Sequence, residues 1–349
     1  MQKYLVGGAV RDKVLNIKND DLDYVIVGSN VNEMLNLGYQ QVGKSFPVFL
    51  DENRNQYALA RKEISTGKSH TDFNFEIENV SLKDDLFRRD LTINALAMDD
   101  DGNILDFFNG LKDLQNKVIR HVSEAFKEDP LRIFRVARFA AKFSDFKIAK
   151  ETYDLMSKMI EENAIENLAS ERIFEEFNKA IQYKHFYKFL EVLNNIKALE
   201  KINFLNVDKT DIYFIKHYIN GVFSNKKYDY KELNKVLLAY SGFNLNKKVL
   251  NFEIKFWDNK TKDFFSTINL WLETNNKIKN NLELLFSQKY SDILFNNVFN
   301  YSFEFNERNK LIILKNKFKE IKLNLSKFND IKELKAYKIE NFKNIYKNM

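Results

Sequence analysis

The sequence predicts an α+β protein, with a mixed-sheet head at the N-terminus and an all-α remainder. Two observations predict this division. Eight of the ten glycines lie within the first 120 of 349 residues, among short runs rich in branched and aromatic side chains. After Pro130 the chain has no proline, and its last two glycines stand at positions 221 and 242, which is typical of long uninterrupted helices.

The head alternates β-type and helix-type runs. The predicted strands are KYLVG (3–7), DYVIVG (23–28), FPVFLD (46–51), QYALAR (56–61) and ILDFF (104–108). The predicted helices of the head are NVNEMLNL (30–37) and SLKDDLFRRDLTINALAM (81–98). We therefore divide the chain into a head (1–120), a helical neck (121–205) and a helical body and tail (206–349).

Composition excludes several classes of protein. Cysteine is absent, which excludes disulfides, zinc–thiolate sites and thiol catalysis. No apolar run approaches the roughly 18 residues that span a bilayer, and the first residues do not resemble a secretory signal. We therefore expect a cytoplasmic protein without a membrane partner. The 55 basic and 49 acidic residues give a net charge of +6, which permits nucleic acid as a partner without requiring it.

A glycine pair stands between the first predicted strand and a helix-type run, in YLVGGAVRDKVL. Gly7 and Gly8 would leave backbone N–H groups uncovered, so that a phosphate can approach the turn closely. Arg11, about one turn into the helix, would add guanidinium donors to the same anion. The arrangement alone is weak support, since most such glycines only make a tight turn.

Two aspartates sharpen this interpretation. Alternate residues of a strand share a face, so Asp21 and Asp23 are expected to project together while Leu22 points to the core. Their Cα atoms would stand roughly 6.5–7 Å apart, close enough for both carboxylates to hold one or two Mg²⁺ ions. The alternative is a pair of solvent-facing turn residues. A phosphate cradle beside metal-binding carboxylates indicates nucleotidyl transfer.

These motifs resemble those of class II tRNA nucleotidyltransferases and their bacterial poly(A) polymerase relatives. YLVGGAVRD with DLD before YVIVG resembles the first family motif, LFRRDLTINALA the second, and EDPLRIFRVARFAAKF the nucleotide-template helix. NEMLNLGYQQVGKSFPVFL and NGLKDLQNKVIRHVSEAFKEDP are similar to the short proteobacterial CCA-adding enzymes, which lack an HD phosphohydrolase domain. The resemblance covers roughly residues 1–185.

The resemblance implies a polymerase β-like nucleotidyltransferase head, Mg²⁺ as the cofactor, and catalytic, metal-binding roles for Asp21 and Asp23. It implies that CTP and ATP are the substrates and that tRNA is contacted at its 3′ end and elbow. Arg89 would contact the triphosphate, and Gly8 and Arg11 would hold the triphosphate in place. The 3′-hydroxyl of tRNA would attack the α-phosphate, and pyrophosphate would leave. Arg88 could instead form an ion pair with Asp84 or Asp85 on the helix surface. Asp90 could have a structural role rather than one in nucleotide binding.

The motif KEDPLRIFRVARF predicts a capped helix with a basic stripe. Asp129 would cap it and Pro130 would take its first position. Arg132, Arg135 and Arg138 recur every three residues, which in most helices is only solvated surface. The residues expected to pack inward on the other side are Ile133, Val136, Ala137 and Ala140.

Asp129 and Arg132 are i,i+3 neighbours and can present an acceptor beside a donor. Cytosine and adenine both offer an exocyclic amino group beside a ring-nitrogen acceptor, whereas uracil and guanine reverse that order. The pair would therefore accept CTP and ATP and refuse UTP and GTP, and such side-chain pairings are worth roughly 1–3 kcal/mol each. Arg135 and Arg138 would then contact phosphate or ribose.

Four alternatives are compared with CCA addition. A poly(A) polymerase shares the core motifs, and a CC-adding enzyme would lack the flexible loop that ALARKEISTGKSHTDF (58–73) resembles. Arg61 and Glu63 lie in this stretch, for which an ordinary charged hairpin is the alternative. An inert RNA-binding module would not need both aspartates. A bifunctional enzyme would need an HD metal site, yet none of the four histidines precedes an aspartate, so we expect no phosphohydrolase activity.

The helical C-terminal half is expected to bind tRNA through backbone charge rather than base sequence. The lysine-rich stretches FNLNKKVLNFEIKFW (243–257) and ILKNKFKEIKLNLSKF (313–328) are its candidates, with ordinary solvent-facing helix surface as the alternative. The sequence carries no prediction of oligomeric state.

Overall fold

The computed structural model describes residues 1–42, 48–52, 54–65, 73–77, 79–220, 230–231, 234–235 and 237–238. Its strands are β1 (Gln2–Val6), β2 (Asp23–Val27), β3 (Gln40–Val42), β4 (Val48–Leu50), β5 (Gln56–Leu59), β6 (Lys62–Ser65), β7 (Phe73–Glu76), β8 (Leu96–Met98), β9 (Ile104–Asp106), β10 (Val118–Ile119) and β11 (Lys147–Ile148). Its helices are α1 (Gly8–Val14), α2 (Val31–Asn36), α3 (Leu82–Phe87), α4 (Gly110–Gln115), α5 (Leu131–Lys142), α6 (Lys150–Glu161), α7 (Ser170–Ala180), α8 (Tyr187–Asn195) and α9 (Lys209–Asn220).

The chain divides into two compact units. The first comprises Met1–Ala180 with Lys188–Lys201, and the second comprises Ile181–Tyr187 with Ile202–Met349. The predicted division at residues 120 and 205 stays a prediction. The lysine-rich stretches 243–257 and 313–328 lie outside the described residues. Among the helices that are described, none is long and apolar enough to cross a membrane.

A seven-stranded mixed sheet organises the first unit, in the order β3-β4-β5-β2-β1-β8-β9. Strand β2 pairs in parallel with β5, and every other neighbouring pair of this sheet is antiparallel. Each of the five predicted β-type runs contains a strand. The prediction of an α+β protein with a mixed-sheet head is confirmed.

Strand β2 has a core on each face of the sheet, because successive side chains of a strand point to opposite sides. Val25 packs in one cluster with Val6, and Ile26 packs in the other with Phe49 and Leu59. A strand buried on both faces reads as the continuous apolar run DYVIV. The sheet is therefore anchored at β2, and Asp23 stands at the first residue of that strand.

The predicted helix over residues 81–98 is wrong beyond Phe87. Helix α3 begins with a capping box, in which Ser81 and Asp84 satisfy each other's backbone N–H groups, and it ends at Phe87. The chain then makes a 3₁₀ turn at Thr92–Asn94 and enters the sheet as β8. Residues 90–98 are all buried. Their side chains therefore show neither the helical nor the strand period of apolar and polar residues, and the sequence could not distinguish the two.

Helix α5 follows the sheet and packs against α7 within the first unit. The predicted cap is wrong by one position, because Pro130 is itself the N-cap and Leu131 is the first helical residue. The Asp129 carboxylate still accepts the N–H of Leu131 at 3.1 Å, from one residue before the cap. The four residues expected to pack inward, Ile133, Val136, Ala137 and Ala140, are all buried. Arg132, expected on the basic stripe, is also buried, at 8% exposure.

Candidate active site

A polar cavity of about 920 Å³ lies in the first unit. Most of its lining comes from three sources: the β1–α1 region with the start of β2, the segment that follows α3, and the α5 helix with its preceding loop. Arg61, between β5 and β6, and Arg172 of α7 complete it. All nine residues predicted from the sequence line it, namely Gly8, Arg11, Asp21, Asp23, Arg89, Asp129, Arg132, Arg135 and Arg138. The fold therefore brings together residues that lie as far apart in sequence as positions 8 and 138.

The cavity is strongly basic. Ten of its lining residues are Lys or Arg and six are Asp or Glu. The lining residues therefore carry a net charge of +4, whereas the whole chain carries +6. A concave, low-dielectric wall concentrates such a field, which favours a polyanionic ligand.

Asp21 and Asp23 both reach the cavity with exposed side chains. Strand β2 begins at Asp23, and the sheet pairing continues weakly to Leu22, whose carbonyl accepts the Gln56 N–H at 3.4 Å. Leu22 is half-buried rather than in the core, which differs from the prediction because the chain has not yet entered the sheet there. Desolvation and the charge of Asp21 raise the pKa of Asp23, and Arg89 opposes both.

These two carboxylates fit a Mg²⁺ ion. Neither one accepts a hydrogen bond from the described part of the chain, so their oxygens are open to a ligand. No group of three or more His, Cys, Asp or Glu side chains placed to hold a metal occurs among the described residues. Mg²⁺ suits such a site, because it usually takes one or two protein carboxylates and completes its coordination with substrate phosphates and water.

Arg88 and Arg89 both bind the buried carboxylate of Asp85, at 2.5 and 3.2 Å. This is the alternative that the sequence offered for Arg88. Arg89 also approaches the backbone of Gly7: a Cβ at that position would stand 2.9 Å from Arg89 Nη1. Its Nε is buried and has no hydrogen-bond partner within the described residues. Gly7 thus leaves room for the Arg89 guanidinium, a role that the sequence did not indicate. The predicted role of the glycine pair was the approach of a phosphate.

Arg11 is more enclosed than the sequence predicts. Its Nε and Nη2 both lie 2.7 Å from Asp12 Oδ1, and its Nη1 donates to Asn94 Oδ1 at 2.5 Å. Phe139 and Phe143 cover the guanidinium, with ring centroids 5.2 and 5.3 Å from Cζ. Asp12 and Asn94, which hold Arg11 in place, are site residues that sequence reasoning missed.

Lys142 is a further lining residue that the sequence did not single out. Its Nζ lies 3.5 Å from Asp12 Oδ2, a carboxylate that Arg11 already neutralises. Desolvation and then the charge of Arg11 lower the pKa of Lys142, and Asp12 partly opposes them. Two cations that share one carboxylate leave positive charge at this end of the cavity, where a phosphate would be stabilised.

Asp90 connects the two halves of the site. Its carboxylate accepts from Asn94 Nδ2 at 3.1 Å and from Arg135 Nε at 2.7 Å. Desolvation alone would raise the pKa of Asp90, but the charge of Arg135 and the hydrogen bond from Asn94 lower it to about 2. Because Asn94 also holds Arg11, a continuous chain of polar contacts runs from Arg11 to Arg135. The structural role of Asp90 offered by the sequence fits these contacts.

Helix α7 supplies partners that were not predicted. Arg172 Nη2 binds Asp129 Oδ2 at 2.9 Å, and Glu176 Oε2 accepts Arg138 Nε at 2.5 Å. Arg132 Nη1 donates to the carbonyl of Ala125 at 2.7 Å. The only sequence signal for these partners is an Arg and a Glu four residues apart in SERIFEEF, and such pairs are common on solvated helices.

The stretch predicted to be a flexible loop contains an antiparallel ribbon of β6 and β7. Residues 66–72 lie outside the described residues, and for Glu63 only the backbone is described. Arg61 lines the cavity and its backbone is fixed: its N–H donates to Asp85 Oδ1 at 3.3 Å and its carbonyl accepts Arg88 Nε at 3.2 Å. The start of the ribbon is thus attached to helix α3 and to Arg88 just after it.

Comparison with known proteins identifies the family. Residues 3–120 match the family described as "Poly A polymerase head domain", and residues 145–203 match "Probable RNA and SrmB- binding site of polymerase A". A curated relative, the "Multifunctional CCA protein" of Hahella chejuensis (strain KCTC 2396), is 49% identical over 206 residues. Residues 3–120 therefore belong to the family of poly(A) polymerase head domains, and the chain resembles class II tRNA nucleotidyltransferases. The chain spans about half the length of this relative, with 58% of the chain and 49% of the relative aligned.

Solved structures of similar fold extend over nearly the whole chain. One is described as "Structure of tRNA-processing enzyme with CTP"; it is 25% identical with a TM-score of 0.58, over 99% of this chain and 95% of that chain. Another is a "tRNA nucleotidyltransferase complexed with a primer tRNA and an incoming ATP analog", 23% identical with a TM-score of 0.60, over 92% and 96% of the two chains. Enzymes of this family are generally metal dependent.

Proposed function

We propose that this protein is a tRNA nucleotidyltransferase that adds or repairs the 3′-terminal CCA of tRNA from CTP and ATP, releasing pyrophosphate. The observation that carries the proposal is the convergence of nine residues, chosen for this chemistry from sequence alone, on one basic cavity. The curated relative is named a CCA protein, and the solved structures of similar fold are described with CTP, an ATP analog and a primer tRNA. A tRNA substrate also fits the predicted cytoplasmic location.

The base would be selected at the start of α5. Asp129 would accept the exocyclic amino group of cytosine or adenine, and Arg132 would donate to the ring nitrogen beside it. In the structure both side chains are already held by protein atoms, Asp129 by Arg172 and Arg132 by the Ala125 carbonyl. Because they are fixed before the nucleotide arrives, little ordering entropy is lost when a base binds.

The triphosphate would bind along the basic wall of the cavity. Arg89 has a buried Nε that lacks a partner within the described residues, and Lys142 shares its carboxylate with Arg11. Arg89 likewise shares the Asp85 carboxylate with Arg88, so at both places one anion faces two cations. Arg135 and Arg138 line the same wall, each bound to one buried carboxylate, and would contact ribose or phosphate.

Asp21 and Asp23 would hold Mg²⁺ beside the α-phosphate. When bound, the metal supplies neutralising charge and lowers the pKa of the attacking hydroxyl. The tRNA 3′-oxygen forms the new bond to the α-phosphorus, and the bond from that phosphorus to the bridging oxygen of pyrophosphate breaks. The residues of the chain position both partners and exclude wrong bases, and no side-chain nucleophile is required.

The proposal is tested by incubating the protein with a tRNA that lacks its terminal CCA and with all four labelled nucleoside triphosphates. We expect three additions, C, C and A, and no further growth. A tRNA that already ends in CCA is the matched control and should remain unlabelled. A long A tail would instead identify a poly(A) polymerase, two additions a CC-adding enzyme, and no addition an RNA-binding module.

The contact between Gly7 and Arg89 gives a second prediction. Gly7 has φ +71°, and a Cβ there would stand 2.9 Å from Arg89 Nη1. Gly7→Ala should therefore cost about 1–3 kcal/mol of backbone strain and also displace Arg89, which weakens nucleotide binding. Gly28 has φ +70° with nothing within 4 Å of its added Cβ, so Gly28→Ala carries the strain alone. Equal KM values for CTP in the two variants would show that Arg89 does not depend on Gly7.

A further inference from the structure

Helix α7 faces the nucleotide-selecting side of α5 with two charged residues. Arg172 and Glu176 are four residues apart and so lie on one face of the helix. Arg172 binds Asp129, just before α5, and Glu176 binds Arg138, near its end. The two pairs have opposite polarity, so α7 can pair with this side of α5 in only one register.

The contacts of Asp129 fix both of its carboxylate oxygens. Oδ1 accepts the N–H of Leu131 at 3.1 Å, and Oδ2 accepts Arg172 Nη2 at 2.9 Å. The bond from Leu131 alone leaves the carboxylate free to rotate about its side-chain torsions. Arg172 removes that freedom, because its guanidinium approaches from a separate helix.

Arg172 lines the cavity and, in the part of the chain that is described, makes a single hydrogen bond to the protein there. Within the described residues Asp129 is the only hydrogen-bond partner of its guanidinium, and its Nη1 is buried without one. A buried donor that lacks a partner costs about 1–3 kcal/mol. A guanidinium placed for general stability would be expected to satisfy more of its five donors, so its position is best explained by the single bond to Asp129.

We propose that Arg172 is a positioning residue for base selection, which anchors Asp129 on the side of the base where the exocyclic amino group lies. This inference rests on the proposed function and deepens it. Uracil and guanine present a carbonyl at that place and an N–H where cytosine and adenine present the ring nitrogen. To accept either of them, the Asp129 carboxylate would have to move by one position toward the ring nitrogen. The bond to Arg172 prevents this movement.

Glu176 has a different expected effect, which helps to separate positioning from structure. It holds Arg138, whose proposed contact is with phosphate or ribose, groups that all four nucleotides share. Loss of Glu176 should therefore weaken the binding of all four nucleotides by a similar factor. Loss of Arg172 should change the ratio between them.

The test compares Arg172→Met, Arg172→Lys and the exposed neighbour variant Glu175→Gln with the unaltered chain. Equilibrium binding of CTP, ATP, UTP and GTP without tRNA is measured first, and incorporation of each into a tRNA lacking CCA second. In Arg172→Met we expect discrimination against UTP and GTP to fall by about 10-fold or more, as the loss of one side-chain pairing implies. Arg172→Lys should restore part of it, and Glu175→Gln should match the unaltered chain.

Two results would overturn the inference alone: unchanged discrimination in Arg172→Met, or a parallel loss for all four nucleotides. If Arg172→Met does not fold, as judged by thermal melting, Arg172→Lys carries the test, with reduced selectivity expected and full selectivity contradicting the inference. An unaltered chain that binds and incorporates no nucleotide would overturn the proposed function and this inference together. The two failures are thus distinguishable.

Discussion

Asp21→Asn and Asp23→Asn should each abolish nucleotide incorporation while leaving the fold intact. Both carboxylates are exposed to the cavity. Desolvation raises the pKa of Asp23 most, and the charge of Asp21 raises it further, so the two carboxylates repel each other. A ligand for metal that stabilises the transition state is worth several kcal/mol, so the rate should fall by at least about 100-fold. The melting temperature should be unchanged or slightly higher, because a repulsion is removed.

Asp20→Asn is the matched control for these variants. Asp20 is exposed, does not line the cavity and pairs with Lys18 at 3.2 Å on the surface, where an ion pair contributes little. It should keep full activity. Near-normal turnover in either cavity variant, measured by labelled CTP incorporation over a range of Mg²⁺ concentrations, would refute the metal assignment.

Asp90→Asn should destabilise the folded protein by a measurable amount. Asp90 is 7% exposed and carries the counter-charge of Arg135, whose side chain is 35% exposed. Removing one partner of a buried pair leaves the other uncompensated, and the partial exposure of Arg135 reduces the expected cost to about 2 kcal/mol. Urea unfolding measures it, and Asp101→Asn, an exposed aspartate of the same charge, should be neutral.

The pH dependence of this loss is specific. The pKa of Asp90 is lowered to about 2 from 3.8, so its contribution to stability is complete above pH 3.8 and disappears as the pH falls through about 2. The difference in unfolding free energy between the unaltered chain and Asp90→Asn should be constant from pH 7 to 5 and shrink below about pH 4. A difference that stays constant below that pH would show that Asp90 is not stabilised as an anion by Arg135.

Much of the head could be predicted because its strands are short runs of branched and aromatic side chains, a local pattern that the sequence shows directly. The run DYVIV is apolar on both faces, and strand β2 occurs where it was expected. The segment 81–98 could not be assigned, because its continuous apolar stretch fits a buried helix or strand equally well. Pairing with β1, which is distant in sequence, and with the next strand β9 decides that Leu96–Met98 is a strand.

The site shows the same division between local and distant information. Asp21, Asp23 and Arg11 stand in short motifs, so sequence alone could predict that they lie together, and all three line one cavity. Arg172 and Glu176 become recognisable only when α7 packs on α5, because their partners lie 43 and 38 positions away. The enclosure of Arg11 by Asn94 was likewise hidden, since 83 residues separate them.

The most direct test of the account measures metal binding itself. Mn²⁺, used in place of Mg²⁺, is titrated into the full chain with a non-hydrolysable CTP analogue, and bound Mn²⁺ is followed by electron paramagnetic resonance. We expect binding that depends on the analogue in the unaltered chain and in Asp20→Asn, and that is lost when both Asp21 and Asp23 are replaced by Asn. Undiminished Mn²⁺ binding in that double variant would contradict the claim that these two carboxylates hold the metal against the nucleotide.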